Sequence, residues 1–525
     1  MDSKISKMYD MLSGIKLRIV LQSVVVGLIA GLVISIYRLV LDHVDTYTFA
    51  AYAFLAGHKW YIIIGIAVLA IIGLIVGYMV QDESMISGSG IPQIEGILTG
   101  HFKEPSPVKV ILYKFIGGVL AIGSGLSLGI EGPSIQLGAT IANLYGNVTK
   151  RLKLEKRFLI SSGAGAGLAA AFNAPFAGVM FVLEEVHKKF TPTLFVSAIA
   201  ATVSADVVTW AFFGSKQILA THVMPVIPFK YYPYIIILGV IMGLAGVLYN
   251  KTLVKTMELY KKINVPVKYR MIIPFICAMF FGIFIPQVLG GGIHLINHIL
   301  ISGTVLKFAV ILLVAKFIFS MISFCAGTPG GILFPLLTLG SLVGVVFGDV
   351  AVQYLGVNPI FMNTFVLFAM AAMFASIVRA PITGFVLVCE MSGSFTQIGG
   401  IALVCGVSYL TAELLRCEPV YESLFKMRLH AQNGTPVTGE SAEIIISYII
   451  EMGSSIVGKK LKEIRLVDHT LVISIEREGI HLIPDGDTIM MSGDKISVMV
   501  SENREINLRD RLETLCVQCD ANMKA

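Results

Sequence analysis

The chain has 525 residues, 55% hydrophobic and only 14% charged, with a mean hydropathy of +0.81. Soluble domains carry about 25% charged residues, so this balance excludes a soluble enzyme and a disordered protein and points to a polytopic membrane protein. The net charge of +6 is divided, since residues 1–430 hold 30 Lys/Arg against 19 Asp/Glu and residues 431–525 hold 10 against 15. A basic apolar body therefore precedes an acidic, more polar tail. Its Lys and Arg are scattered between apolar segments, as on the cytoplasmic side of membrane spans. The lipid bilayer is the expected partner, and nucleic acid is not.

Lys4, Lys7, Lys16 and Arg18 stand before the first apolar run, which fits a cytoplasmic N-terminus. Long apolar runs follow at 17–41, 59–80, 107–129, 131–148, 191–213, 232–250, 271–289, 305–326, 335–356, 360–378 and 397–415. Between them lie shorter runs at 88–100, 158–172, 176–186, 293–301, 381–391 and 419–429. These are too short to cross about 30 Å of hydrocarbon as helices. Several begin at Gly/Pro breaks: Gly90-Ile91-Pro92, Gly132-Pro133, Ala174-Pro175 and Ala380-Pro381. Broken helices at membrane depth are tolerated only inside protein or beside a water-filled cavity. The free N–H groups and dipoles at their N-termini attract anions.

The motifs also recur. Gly129-x-x-x-Pro133-x-x-x-Leu137-Gly138 matches Gly331-x-x-x-Pro335-x-x-x-Leu339-Gly340 at an offset of 202. Ala174-Pro175-x-x-Gly178 followed by Glu184 matches Ala380-Pro381-x-x-Gly384 followed by Glu390 at an offset of 206. Two halves, about 15–215 and 228–430, are expected, with the site where they meet. The order of motifs leaves open whether the halves are inverted. Residues 431–440 read as a polar linker. Short β-rich runs at 443–450, 471–475, 480–483 and 496–500 predict a small soluble α/β domain over 441–505, with 506–525 as a tail. Five cysteines, Cys277, Cys325, Cys389, Cys405 and Cys417, lie in or beside apolar runs without regular spacing, which excludes a disulfide scaffold. Cys516 and Cys519 form a lone C-x-x-C.

Gly88-Ser89-Gly90-Ile91-Pro92, Gly129-Ile130-Glu131-Gly132-Pro133, Gly331-Ile332-Leu333-Phe334-Pro335 and Tyr421 after Glu418-Pro419 resemble, in order and spacing over about 15–430, the anion-site motifs of the CLC chloride channel and transporter family. Gly453-Ser454-Ser455-Ile456-Val457-Gly458-Lys459 and Ile483-Pro484-Asp485-Gly486-Asp487 are similar to a TrkA-C domain. The implied fold is an all-α polytopic CLC body with two repeated halves and a small α/β cytoplasmic domain. The implied activity is exchange of chloride for protons by a homodimer with one pathway per subunit, in the cell membrane. A passive chloride channel of the same fold and a membrane sensor are the alternatives.

Residue by residue, Ser89 either donates its hydroxyl to a dehydrated anion or caps a short helix, and it can do both. The resemblance adds Tyr421 as a second hydroxyl and the backbone around Gly132, Ile332 and Leu333 as further chloride contacts. Glu131 is an acid within an apolar run, a functional hypothesis by default. Its carboxylate can compete with an anion for amides and swing away once protonated, and the resemblance makes it the external gate. Ile130 departs from the basic residue usual in the family, and Leu333 from the usual Phe. Glu184 and Glu185 read as surface acids at a helix end, but their context places Glu185 as the internal proton-transfer residue. In the tail, an anionic small ligand such as a nucleotide or cyclic dinucleotide is expected, with Lys459, Lys460 and Arg477 as contacts. Other motifs fail. Gly125-Leu126-Ser127-Leu128-Gly129 lacks His/Asp partners. His294 and His298 lack a third metal ligand, and Gly163-Ala164-Gly165-Ala166-Gly167 reads as a packing stretch.

Overall fold

The computed structural model describes residues 2–188, 190–215, 217–219, 225–433, 443–451, 454–468, 470–477, 480–501 and 505–516. The chain divides into two compact units, 1–429 and 430–525.

The first unit is helical. Its first half runs through α1 (Asp2–Gly57), α2 (Ile62–Asp82), α3 (Ile91–Thr99), α4 (Pro107–Gly123), α5 (Glu131–Val148), α6 (Lys153–Phe172), α7 (Pro175–Phe181) and α8 (Pro192–Phe213). The second runs through α9 (Tyr232–Lys262), α10 (Val267–Arg270), α11 (Ile272–Phe284), α12 (Ile293–Ser302), α13 (Leu306–Cys325), α14 (Leu333–Tyr354), α15 (Met362–Val378), α16 (Pro381–Ser392), α17 (Ile398–Leu414) and α18 (Val420–Asn433). Among the described residues, eight helical segments are long and apolar enough to cross a membrane.

Several apolar runs differ from their expected extent: the helix over 17–41 continues to Gly57 and that over 232–250 to Lys262, and two further runs change at their ends. The run at 107–129 is not one helix, because α4 stops at Gly123 and Gly125 takes φ +89. That left-handed turn suits glycine and carries the chain as loop up to Glu131. The run at 158–172 extends back to Lys153, making α6 20 residues long. Lys and Glu favour helix and continue it past the apolar stretch. The other interrupted segments stay short, and α7 passes into a π-helical turn over Val182–Val186. The glycine-rich stretch of α6 is a packing surface. A Cβ on Gly138 would lie 2.2 Å from the Gly163 carbonyl oxygen, and one on Gly167 would lie 2.2 Å from that of Ser134.

The repeats meet in reciprocal contacts. Gly129 N–H donates to Gly331 O at 2.8 Å, and Gly331 N–H donates to Gly129 O at 2.7 Å, in an antiparallel bridge. Gly88 N–H donates to Gly327 O, and its counterpart Gly290 N–H donates to Gly125 O. Each pair keeps the offset of 202. When residue i meets j, and their equivalents meet in the reverse sense, the segments are related by a two-fold axis. The equivalent strands at the centre therefore run in opposite directions, which the order of motifs left open.

In the second unit, β1 (Glu443–Ile449), β2 (Leu471–Arg477), β3 (Ile480–Leu482) and β4 (Lys495–Ser501) form an antiparallel sheet in the order β1-β4-β2-β3. The helix α19 (Glu505–Cys516) buries Leu508, Leu512 and Cys516 with Ile446, Ile475 and Val498. This corrects the expected domain end at 505. An amphipathic helix that closes one face of the sheet belongs to the domain, so it continues to 516. Residues 430–433 end α18 rather than opening a linker; 434–440, Gly453 and Cys519 lie outside the described residues.

Arg477 spans this domain with two hydrogen bonds of 2.7 Å to the fully buried Asp494 carboxylate. Burial pushes the Asp494 carboxyl up, but Arg477 and the Met491 N–H outweigh it and hold it below the usual carboxylate range. A depressed carboxyl stabilises the fold above its unfolded value near 3.8, and this contribution is lost as the pH falls through the folded value. Arg477→Ala leaves the buried carboxylate unpaired and costs about 3 kcal/mol, the low end for breaking a buried pair because the arginine is partly exposed. Amides 495–501 should exchange hydrogen faster in the variant at pH 7, and the difference should shrink below pH 4.

Candidate functional site

Loops and helix starts converge around Glu131. Its carboxylate is fully buried, and Oε1 accepts the N–H of Leu333, the first residue of α14, at 2.5 Å. The N–H groups of Glu131 itself and of Phe334 also face it. An acid carried on the first turn of α5 thus lies on the N-terminus of α14, where free N–H groups favour negative charge. Glycines make room for it. A Cβ on Gly129 would stand 2.0 Å from Oε2, and one on Gly331 would stand 2.2 Å from Oε1. Gly132 packs on Ser89, with a hypothetical Cβ 2.8 Å from the Ser89 carbonyl oxygen.

Ser89 is buried, and its Oγ accepts the N–H of Ile91, the first residue of α3, at 3.3 Å, while the N-cap position itself is Gly90. A hydroxyl that accepts this bond keeps its own proton to donate. Tyr421 is buried at the start of α18, within electrostatic reach of both Glu131 and Glu185. Ile332 and Leu333 are buried at the head of α14, and Ile130 is half-buried against the core. Ser89, Gly132, Ile332, Leu333 and Glu131 thus meet at the junction of α3, α5 and α14.

The adjacent acids within the π turn differ in their partners. Glu184 accepts the N–H groups of Ile382 at 3.1 Å and Thr383 at 2.7 Å, together with the Thr383 hydroxyl, and caps α16. Its counterpart Glu390 accepts the N–H groups of Phe176 at 3.1 Å and Ala177 at 2.7 Å, and caps α7. Each repeated glutamate therefore completes the other repeat's helix. Glu185 is buried without a hydrogen bond to its carboxylate among the described residues, and it feels Lys188, Glu95, Glu184 and Glu422. Lys188 donates to Glu95 at 2.7 Å beside it.

Two buried lysines escaped the sequence reading. Lys114 of α4 donates to the carbonyls of Ile86 at 2.8 Å and Gly88 at 2.6 Å. Lys316 of α13 donates to those of Val288 at 2.9 Å and Gly290 at 2.7 Å. All three positions in each set keep the offset of 202. Each ammonium fixes the turn that opens a short helix, α3 or α12. A charged residue at the same offset in two apolar runs was the available signal.

Ser127 bonds Ser320 and Ser323. His294 and His298 line a cavity of about 370 Å³, and no group of three metal-ligating side chains occurs among the described residues. In the tail, Lys460 donates to the exposed Asp487 at 3.0 Å and Arg477 is held by Asp494. Lys459 makes no ion pair among the described residues.

A family model described as voltage gated chloride channel matches residues 68–413, and a TrkA-C domain model matches residues 445–513. The chain is 32% identical over 430 residues to the H(+)/Cl(-) exchange transporter ClcA of Klebsiella pneumoniae (strain 342), covering 79% of this chain and 90% of that protein. It is 34% identical over 374 residues to the ClcA of Vibrio cholerae serotype O1 (strain M66-2), covering 70% and 79%. The crystal structure of a slow cyanobacterial Cl-/H+ antiporter superposes with a TM-score of 0.75 at 28% identity, covering 79% of this chain and 99% of that one.

Lys316→Met should leave the Val288 and Gly290 carbonyls without their donor, at about 1–3 kcal/mol for each unsatisfied group. The expected result is a lower unfolding temperature of the purified protein and faster amide exchange over 288–292. An unchanged melting curve would mean that other donors already satisfy this turn.

Proposed function

The chain belongs to the voltage gated chloride channel family, and from that membership we infer that it is an integral membrane transporter, not an enzyme, which exchanges chloride for protons. The observation that carries the exchange reading is the Glu131 carboxylate seated on the Leu333 N–H, in a pocket roofed by Gly129 and Gly331. An anion and this carboxylate cannot share those amides. Chloride enters when the side chain leaves, and protonation favours leaving because a neutral acid gains less from the α14 dipole. On return the carboxyl gives up its proton to the other side. Binding one ligand is thereby linked to releasing the other.

Chloride is held in this reading by the Ser89 and Tyr421 hydroxyls and by the N–H groups around Gly132, Ile332 and Leu333. Protons pass between Glu131 and Glu185, and Glu184 serves the helix cap. The N-terminus and the TrkA-C domain lie in the cytoplasm, and the membrane is the cell membrane. The protein works as a homodimer in this reading. The tail domain takes a small anionic ligand through Lys459 and Lys460. Arg477, paired with Asp494, contributes to the fold of that domain. A ligand there shifts transport only by binding two conformations unequally.

The test uses the purified protein in chloride-loaded liposomes, with anion efflux and proton uptake recorded together. Glu131→Gln should keep chloride flux and lose proton coupling, because an amide cannot carry a proton. A variant that still moves protons uphill when driven by chloride would overturn the assignment.

The two inner acids should part company. Glu185→Gln should stop proton movement while chloride movement continues. Glu184→Gln should retain coupling, since its one amide oxygen can keep the Thr383 N–H, with a stability loss of about 1–3 kcal/mol because the NH2 group then faces the Ile382 N–H and leaves it unpaired. Equal coupling defects in both variants would remove the distinction.

A further inference from the structure

A cavity of about 530 Å³ lies among α1, α2, α4 and α11, and neither Glu131 nor the residues proposed to hold chloride line it. Its size falls within the range of ligand sites, about 300–1,000 Å³. Val44, Leu55, Ile64, Val68, Leu120 and Met279 make most of its wall, and no charged side chain lines it. The polar side chains of Thr48, Tyr52 and Ser124 are already committed. Tyr52 donates its hydroxyl to Ser124 O at 2.9 Å, and Thr48 donates to Gly123 O. The interior therefore offers an occupant an almost entirely apolar surface.

Two of the helices that flank the cavity, α1 and α2, are consecutive membrane spans by length and hydropathy. The turn joining them, Lys59–Tyr61, is different in character. Tyr61 lines the cavity, and Trp60 is 87% exposed. Lys59 makes no ion pair among the described residues. Tyr and Trp settle at the headgroup level of a bilayer, and Lys there meets lipid phosphate. An apolar chamber between spans, with a cation and two aromatics on the adjoining turn, matches one amphiphile. We propose that this cavity holds one acyl chain of a membrane glycerophospholipid, with the phosphate beside Lys59.

The site adjoins the gate. Ser124 and Gly123 are both wall residues and the last link between α4 and the loop that reaches Glu131. Tyr52 also packs over Gly125, with a ring atom 3.3 Å from where a Cβ would stand. Gly125 in turn accepts the Gly290 N–H at 3.1 Å. An acyl chain against Tyr52 and Leu120 thus bears on the segment that positions the gating carboxylate.

The experiment reconstitutes the full chain in phosphatidylcholine vesicles containing a phosphatidylglycerol with a photoreactive group midway along one acyl chain. After irradiation, the labelled peptides are mapped by mass spectrometry. Label should concentrate in residues 44–72 and 119–124. Val68→Trp, which fills the chamber from the lipid-facing helix, should lower that labelling about tenfold, the equivalent of roughly two methylenes no longer buried. Ala51→Trp fills it from α1 and should do the same, should the first variant fail to insert. Lys59→Gln should remove any preference for the phosphatidylglycerol probe over a phosphatidylcholine probe of the same chain. Labelling spread evenly over other lipid-facing spans such as 232–250, and unaltered by either tryptophan, would overturn the proposal. The readout does not depend on transport, so its failure is separable from failure of the exchange reading.

Discussion

The centre of the membrane unit depends on two hydrogen bonds between Gly129 and Gly331. They cross-link the segments that start α5 and α14, and they bring two helix N-termini to one place from opposite directions. Neither position can carry a side chain, because the Glu131 carboxylate fills the space where a Cβ would go. A single bridge thus sets three things at once. It fixes the relation of the halves, the cluster of free N–H groups, and the slot that one acid occupies. Irregular backbone of this kind survives at membrane depth because protein surrounds it and supplies its partners.

The same two-fold logic recurs outward from the bridge. Lys114 and Lys316 each hold the turn before a short helix, and Glu184 and Glu390 each cap the opposite half's helix. Buried charges are costly unless fully partnered. Here the two buried lysines and the two half-buried glutamates each sit on backbone groups left unpaired by a broken helix. The charges and the breaks therefore require one another. A helix interrupted at Gly90 or Ala380 exposes N–H and C=O groups that must be satisfied within the protein, and the ammonium or carboxylate that does so is itself stabilised.

That reciprocity separates acids that look alike in sequence. Glu184 is engaged by two N–H groups and a hydroxyl, which suits a fixed carboxylate. Glu185 next to it has no such partners among the described residues and lies beside the Lys188–Glu95 pair. Glu131 stands between these cases, with one strong N–H partner and space set aside by glycine. A group that must gain and lose a proton is served by having few fixed bonds, and a structural cap by having many.

Much of the fold was legible because its signals are local or strictly periodic. Long apolar runs, Gly/Pro breaks and motif offsets identified the spans, the short helices and the repeat, and alternating runs located the strands of the tail. The positions of Ser89, Glu131 and Leu333 at helix starts were legible because their motifs lie at the breaks. The failures were of range. The end of α4 at Gly123 depended on one left-handed glycine, and α19 was cut off because its buried face, Leu508, Leu512 and Cys516, has meaning only against a sheet. The antiparallel sense of the halves, the capping role of Glu184, the anchoring role of Lys114 and Lys316, and the commitment of Arg477 to Asp494 were decided by tertiary structure alone. Composition and spacing along the chain determine which segments are apolar, where helices break and which residues repeat. A hydrogen bond between residues about 200 positions apart depends on how the halves dock, and that geometry has no local signature in the chain.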